Sequence, residues 1–198
     1  IYAENCTDGT NEWLEENKKK YNLEVYIETD NNPRRGIGGG MNFCASKVKT
    51  EFINFLQADI YVSEDWDLEL LKEFRKLNKF TVRKGEGVSG LIRKEDWDYI
   101  GGNDDRFAPA YYEDMDLFIR MQNEGYKFML TSESLIYHFA SRSSRFPDDD
   151  LTQRPKELSD IERNSMMEFA KKYGKLPETD ENDFVKPLPI TDGSSNKI

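Results

Sequence analysis

The stretch FINFLQADIYVSEDW, Phe52 to Trp66, carries the strongest fold signal in the sequence. Its first five residues are apolar except for one asparagine, which is typical of a strand buried on both faces. The apolar run stops at Gln57, so a lone carboxylate, Asp59, stands where the predicted strand ends. Asp59 is therefore either an ordinary turn residue or a group that holds a ligand.

The residues before this stretch alternate between strand and helix patterns. IYA predicts the end of a strand, NEWLEENKKKY a helix, LEVYIET a second strand and GMNFCASKV a helix of small residues. This order predicts a parallel α/β layout, in which ligands gather at the carboxyl ends of the strands. We expect the strand at 52–56 to be central and parallel to the strand of Val25 and Ile27, with Ile53, Phe55 and Leu56 buried.

Three further helices are predicted downstream. SEDWDLELLKEFRKLN (63–78) is capped and amphipathic, EDMDLFIRMQNEGY (113–126) ends at a glycine, and PKELSDIERNSMMEFAKKYGKLP (155–177) ends in glycine and proline. KFMLTSESLIYHF (127–139) predicts two short strands. We predict one domain over residues 1–175, followed at 176–198 by a polar tail that is poorly tied to the core because its composition buries little apolar surface.

Composition excludes several classes of function. The chain has 198 residues and a net charge of -10, which disfavours a nucleic-acid backbone or an anionic membrane as the main partner. Cys6 and Cys44 are too few and too far apart for a disulfide framework or a zinc knot. We expect no transmembrane segment, since apolar runs are short, and no signal-like start is present. These observations predict a cytoplasmic protein.

Three short patterns are candidates for chemistry, and each also has a structural explanation. GIGGG (36–40), which follows Arg34 and Arg35, is either a flexible loop or a loop that brings an arginine to a phosphate or a base. Glu113, Asp114 and Asp116 either favour the first turn of a helix electrostatically or supply a general base. The single histidine, His138, is either a core residue or, with a carboxylate and phosphate oxygens, a ligand for Mn²⁺ or Mg²⁺.

The order of the blocks is more specific than any one of them. ENCTDGTNEWL (4–14), NPRRGIGGGMNFCASKVKTEFINFLQAD (32–59), GGNDDRFAPAYYEDMDLFIRMQNEGYK (101–127) and YHF (137–139) follow one another at spacings that resemble the family 2 glycosyltransferases. NSMMEFAKKYG (164–174) is also similar to the F-x-x-K-W-G ending of some members. The resemblance implies the GT-A fold, a three-layer α/β/α sandwich with a mostly parallel central sheet. It also implies an enzyme that moves a sugar, with inversion, from a nucleotide-diphosphate-sugar to a hydroxyl of a sugar or of a lipid-linked or protein-linked glycan.

The resemblance also assigns expected roles to individual residues. Asp59 and His138 match the family's ligands for Mn²⁺ or Mg²⁺, although Gln57 replaces the usual first acid of the metal motif. Asp114 matches the catalytic base. The resemblance also implies that Glu4, Arg35 and Asn42 contact the nucleotide-sugar. Arg142 and Arg145, in the serine-rich stretch after His138, either contact the diphosphate of the donor or are ordinary solvated loop residues.

The family's first strand and helix would precede Ile1, so the resemblance predicts an N-terminally truncated domain. Two alternatives stay open at this point. One is a non-catalytic nucleotide-sugar binding module, which Gln57 and the truncation favour. The other is a sugar nucleotidyltransferase, which would need a glycine-rich loop with a basic residue in its opening strand.

Overall fold

A computed structural model of the chain describes residues 1–30, 35–75, 81–84, 90–130, 136–139, 156–181 and 184–198. Single strands and pairs of strands are separated by helices along the chain. The strands are β1 (Tyr2–Glu4), β2 (Tyr26–Glu28), β3 (Phe52–Phe55), β4 (Ile60–Val62), β5 (Thr81–Lys84), β6 (Gly90–Arg93), β7 (Lys127–Leu130) and β8 (Ile136–His138). The helices are α1 (Thr10–Asn17), α2 (Gly36–Lys47), α3 (Trp66–Phe74), α4 (Lys94–Ile100), α5 (Glu113–Asn123) and α6 (Lys156–Tyr173).

The strands form three groups in the described part of the chain. β1 and β2 are parallel, with Ala3 opposite Ile27, as expected for strands joined through a helix. A four-stranded sheet has the order β3-β6-β5-β7, in which β5 and β7 are parallel and the other pairs antiparallel. β4 and β8 form an antiparallel two-stranded ribbon with Tyr61 opposite Tyr137.

The predicted position of the strand at 52–56 is wrong. β3 pairs antiparallel with β6 along its whole length, and no pairing with β2 is found among the described residues. Ile53 is buried and Phe55 half-buried, but Leu56 lies beyond the strand and is 45% exposed. The apolar run arises because the two faces of β3 contact different core clusters, Phe52 packing with Phe74 and Ile53 with Trp97. Burial on both faces shows in composition, whereas the direction of pairing does not.

The predicted glycine loop is also wrong, because residues 36–40 form the first turns of α2. Gly36 has φ +68, and a Cβ atom there would stand 1.9 Å from the carbonyl oxygen of Pro109. The backbone N–H of Ile37 donates to that same carbonyl at 2.9 Å. Glycine at position 36 therefore permits α2 to approach the loop that precedes α5.

The end of the chain packs against the domain, so the expectation of a poorly tied tail is wrong. Val185 and Leu188 are each 4% exposed and contact Phe169 and Tyr173 of α6. Backbone hydrogen bonds join Thr191 N to Lys172 O at 2.8 Å and Ile198 N to Ile100 O at 3.1 Å. A few apolar side chains set among prolines are enough to dock a segment whose average composition is polar. The domain boundary at residue 175 stays a prediction.

Candidate active site

The start of α5 is held in an unusual backbone conformation. Tyr111 and Tyr112, the two residues before the helix, have φ of 75 and 69. The left-handed region is costly for bulky residues and persists only where the surroundings enforce it, which occurs most often at functional sites. The acids that follow, Glu113 and Asp114, are therefore held by a constrained turn on one side and by a helix on the other.

Glu113 is a buried carboxyl group with an unsatisfied oxygen. Its side chain is 7% exposed, and Oε2 has no hydrogen-bond partner. Burial, followed by the charge of Asp114, raises the pKa of Glu113 from 4.5 to about 7. A Cβ atom on Gly38 would lie 3.4 Å from Glu113 Cβ, so α2 covers this side chain closely. A carboxyl with this pKa can hold or release a proton at neutral pH.

Asp114, the predicted base, is half-buried. Its Oδ1 accepts a hydrogen bond from the backbone N–H of Met115 at 2.8 Å. Because successive helical residues differ by about 100° around the axis, Asp114 and Glu113 project in different directions. The role of Asp114 as base stays a prediction.

Asp116, the third acid of the motif, is a structural residue. It is fully buried, and its Oδ1 accepts from Tyr173 Oη at 2.8 Å and pairs with Lys172 Nζ at 2.6 Å. Its Oδ2 accepts from Arg120 Nε at 2.7 Å. Arg120 in turn donates to the carbonyl oxygens of Ile100 and Gly102. The C-terminal helix α6 is thereby tied to α5 and to the loop that follows α4.

A second carboxylate shares Lys172. Asp104 Oδ2 lies 2.9 Å from Lys172 Nζ and 2.8 Å from Arg106 Nε, and Arg106 also pairs with Asp192. Burial opposes ionisation of Asp104, but the hydrogen bond and charge of Lys172, with those of Arg106, hold the pKa of Asp104 below its ordinary value. No local sequence pattern predicts a role for Lys172 or Asp104. The similarity of EFAKKYG to a family ending was the available signal.

The proposed metal ligands, Asp59 and His138, come from neighbouring strand ends. His138 lies opposite Ile60 in the β4–β8 ribbon, and the backbone N–H of Phe139 donates to Asp59 O at 2.9 Å. The fold therefore brings Asp59 and His138 to adjoining backbone positions. A carboxylate oxygen and an imidazole nitrogen are suitable donors for Mn²⁺. Among the described residues, no group of three or more His, Cys, Asp or Glu side chains is placed so that it could hold a metal ion.

Glu4 and Arg35, two residues predicted to contact the nucleotide, meet at the start of α2. Glu4 Oε1 accepts from the backbone N–H of Arg35 at 2.6 Å, and Oε2 accepts from that of Gly36 at 3.1 Å. The carboxylate of Glu4 therefore satisfies N–H groups at the positive end of α2. The guanidinium of Arg35 is exposed and lies 5.1 Å from the ring centre of Phe43.

Asn42 joins α2 to the loop after α4. Its Nδ2 donates to Asn103 O at 2.9 Å, and its Oδ1 accepts from Asn103 N at 2.8 Å. Contacts of Glu4, Arg35 and Asn42 with a nucleotide stay predictions. Arg142 and Arg145 lie outside the described residues.

The sequence matches one known family. The family described as "Glycosyl transferase family 2" matches residues 3–142, which is more than half of the chain. The chain belongs to glycosyl transferase family 2. No curated protein sequence matches it.

The chain is similar to two solved structures, of which the first supports the fold. TarS residues 1–349 from S. aureus match with a TM-score of 0.56 at 15% identity, over 84% of this chain and 60% of that chain. The catalytic domain of Drosophila beta1,4-galactosyltransferase 7, solved with xylobiose, matches with a TM-score of 0.47 at 15% identity, over 82% of this chain and 78% of that one. This family 2 glycosyltransferase chain thus spans less than two thirds of the TarS chain. The predicted α/β fold of GT-A type is confirmed.

None of the helices in the described parts of this family 2 chain combines the length and the apolar character that crossing a bilayer requires.

Proposed function

We propose that this chain transfers a sugar from a nucleotide-diphosphate-sugar to an acceptor hydroxyl, with inversion at the anomeric carbon and with the help of Mn²⁺ or Mg²⁺. The observation that carries the proposal is the acid pair at the constrained start of α5, inside the region 3–142 that matches the family. In a single displacement, the acceptor oxygen bonds to the anomeric carbon as the bond from that carbon to the diphosphate oxygen breaks. Asp114 takes the proton from the attacking hydroxyl.

The donor end of the site is proposed to involve the ends of β4 and β8. Asp59 and His138 would supply a carboxylate and an imidazole to the divalent ion, and the oxygens of the diphosphate would complete its coordination. The chemistry that such an ion supplies is neutralisation of the negative charge that grows on the leaving diphosphate. Glu4 and Arg35 at the start of α2, Asn42 within α2, and the residues Arg142 and Arg145 are proposed to contact the donor.

Metal dependence is tested by binding of nucleoside diphosphates. We expect UDP, GDP, CDP or dTDP to bind more tightly with Mn²⁺ than with EDTA, measured by isothermal titration calorimetry. Asp59→Ala should remove the difference between the two conditions. Asp98→Ala, which changes an exposed aspartate of α4, should keep it. An unchanged metal effect in Asp59→Ala would contradict the assignment.

The base is tested by separating transfer from binding. Asp114→Asn keeps size and removes basicity, so transfer should fall by about 10²–10⁴ while the affinity for the donor survives. Asp67→Asn is a matched control, because Asp67 also lies in the first turn of a helix and accepts from the next backbone N–H, that of Leu68, at 2.9 Å. Normal transfer by Asp114→Asn together with loss in Glu113→Gln would move the base to Glu113.

A non-catalytic nucleotide-sugar binding module is the second candidate. Gln57 in the metal motif favours it, as does the engagement of Glu4 with the start of α2. Donor binding by the wild-type protein without transfer or donor hydrolysis, across the donors that bind, would support this candidate over the enzyme.

A further inference from the structure

The ribbon of β4 and β8 has one covered face. Ile60 and Val62 are half-buried and pack beside Leu70 and Phe74 of α3. Successive side chains of a strand point to opposite faces, so Tyr61 lies on the other face, where it is 61% exposed. Tyr137, directly opposite Tyr61 in the ladder, is 51% exposed.

Phe139 continues this exposed surface beyond β8. Its backbone N–H donates to Asp59 O, which extends the ladder by one step, and its ring is 45% exposed. The ring centres of Tyr137 and Phe139 are 5.0 Å apart with an interplanar angle of 82°. Tyr61, Tyr137 and Phe139 therefore form a contiguous surface, the aromatic face. Contiguous exposed apolar surface of this kind marks interaction sites, whereas single exposed apolar residues need no explanation.

The charge around the aromatic face indicates the kind of ligand. Residues 59–62 and 136–139 include no lysine or arginine, and β4 is followed by Ser63, Glu64 and Asp65. Without the proposed metal ion, a phosphorylated ligand or an anionic membrane would meet no lysine or arginine in these two segments. A neutral sugar ring suits the surface, since its C–H groups can lie on aromatic rings while its hydroxyl groups reach the tyrosine hydroxyls at the edge.

We propose that the aromatic face binds a neutral sugar ring of the acceptor glycan by stacking. This rests on the proposed function, because the backbone contact between Phe139 and Asp59 joins the aromatic face to the proposed metal site. An acceptor held on the aromatic face is thereby placed beside the donor end of the site. The rings carry the affinity, so a phenylalanine in place of Tyr61 keeps binding and an alanine does not.

The test uses neutral oligosaccharides without donor or metal. Cellotetraose, chitotetraose, xylotetraose and mannotetraose are the probes, and saturation-transfer NMR reports which sugar protons contact the protein. We expect at least one probe to bind through its C–H protons, and Tyr61→Ala and Tyr137→Ala each to raise its dissociation constant about tenfold. Tyr61→Phe should keep the wild-type affinity.

A matched control exists in the turn that follows α1. Tyr21 is 50% exposed, and its ring stacks on Trp13 with centres 6.0 Å apart. Tyr21→Ala therefore removes an equally exposed aromatic ring far along the chain, and it should leave oligosaccharide binding unchanged. Melting temperatures of all variants identify any that fail to fold.

Several results would overturn the proposal. These are no binding of any probe by the wild-type protein, equal affinity in the alanine variants of the aromatic face, or equal loss in Tyr21→Ala. Loss of binding to phosphatidylcholine–phosphatidylglycerol vesicles in Tyr61→Ala without any oligosaccharide effect would assign the surface to membranes instead. Binding of UDP, GDP, CDP and dTDP with Mn²⁺ is measured in the same samples. If the protein binds an oligosaccharide but none of the nucleotides, the proposed function is contradicted and the assignment of the aromatic face is not. If it binds a nucleotide but no oligosaccharide, only the assignment of the aromatic face is contradicted.

Discussion

Replacing Glu113 with glutamine is expected to stabilise the protein, and by more at high pH than at low pH. Glu113 is 7% exposed, with one oxygen unpaired, and burial followed by the charge of Asp114 raises its pKa from 4.5 to about 7. The folded state thus binds the proton more tightly than the unfolded state does. The contribution of Glu113 to stability is fully present below pH 4.5 and is lost as pH rises through about 7.

The size of the effect follows from the gap between the two pKa values. Each pKa unit is worth about 1.4 kcal/mol, so an ionised Glu113 destabilises the fold by about 3 kcal/mol once both states are ionised. Between pH 5.5 and pH 8 the change is about 2 kcal/mol, because part of the loss has already occurred below pH 5.5. Glutamine has no such titration, so the gap in stability between variant and wild type should widen by that amount.

Urea unfolding from pH 5.5 to pH 8 measures this difference. The lower limit keeps the protein above its pI of about 4.8, where loss of net charge favours precipitation. Glu12→Gln is the control, because Glu12 lies in the first turn of α1 and is exposed, and the gap in stability should widen with pH more for Glu113→Gln than for Glu12→Gln. A pH-independent difference for Glu113→Gln, or one that shrinks as pH rises, would refute the reasoning about burial.

Two further predictions concern the C-terminal part of the fold. Leu188→Ala should lower the free energy of unfolding by about 2–5 kcal/mol, because Leu188 is 4% exposed. Leu176→Ala, at a 45% exposed position, should change it little. Equal urea midpoints for the two variants would show that the segment does not dock. Lys172→Met should lower the free energy of unfolding by about 3–5 kcal/mol, because it removes the cation that the carboxylates of Asp104 and Asp116 share. Lys171→Met should change it little in the same assay, because the Lys171 side chain is 69% exposed.

Local features of the structure could be predicted from the sequence. The patterns at 63–78, 113–126 and 155–177 predicted α3, α5 and α6, and KFMLTSESLIYHF predicted β7 and β8. Each signal depends on neighbours within a few residues: apolar spacing, acids in a first turn and a closing glycine. The family, too, could be read from the order of the motifs, and the match over residues 3–142 confirms it.

Contacts between distant residues could not be predicted in this way. Asp116 and Glu113 belong to the same acidic motif, yet the structure places Asp116 in a network with Tyr173, 57 residues away, and leaves an oxygen of Glu113 unpaired. Lys172 likewise bonds to Asp104, which is 68 residues distant. Nothing in the local sequence distinguishes a carboxylate with a buried partner from one without.

The stretch from Phe52 to Trp66 shows the same contrast between local features, which the sequence predicts, and contacts between distant residues, which it does not. The apolar residues of FINFL determined a strand covered on both faces, because burial requires apolar side chains whichever strand lies beside it. Pairing with β6 was decided by the tertiary structure, since backbone N–H and C=O groups are alike in every residue except proline and accept parallel or antiparallel neighbours. The sequence by itself likewise determined that Asp59 follows β3 closely. Its position beside β8 was decided only by the folding of a segment that lies about eighty residues further along the chain.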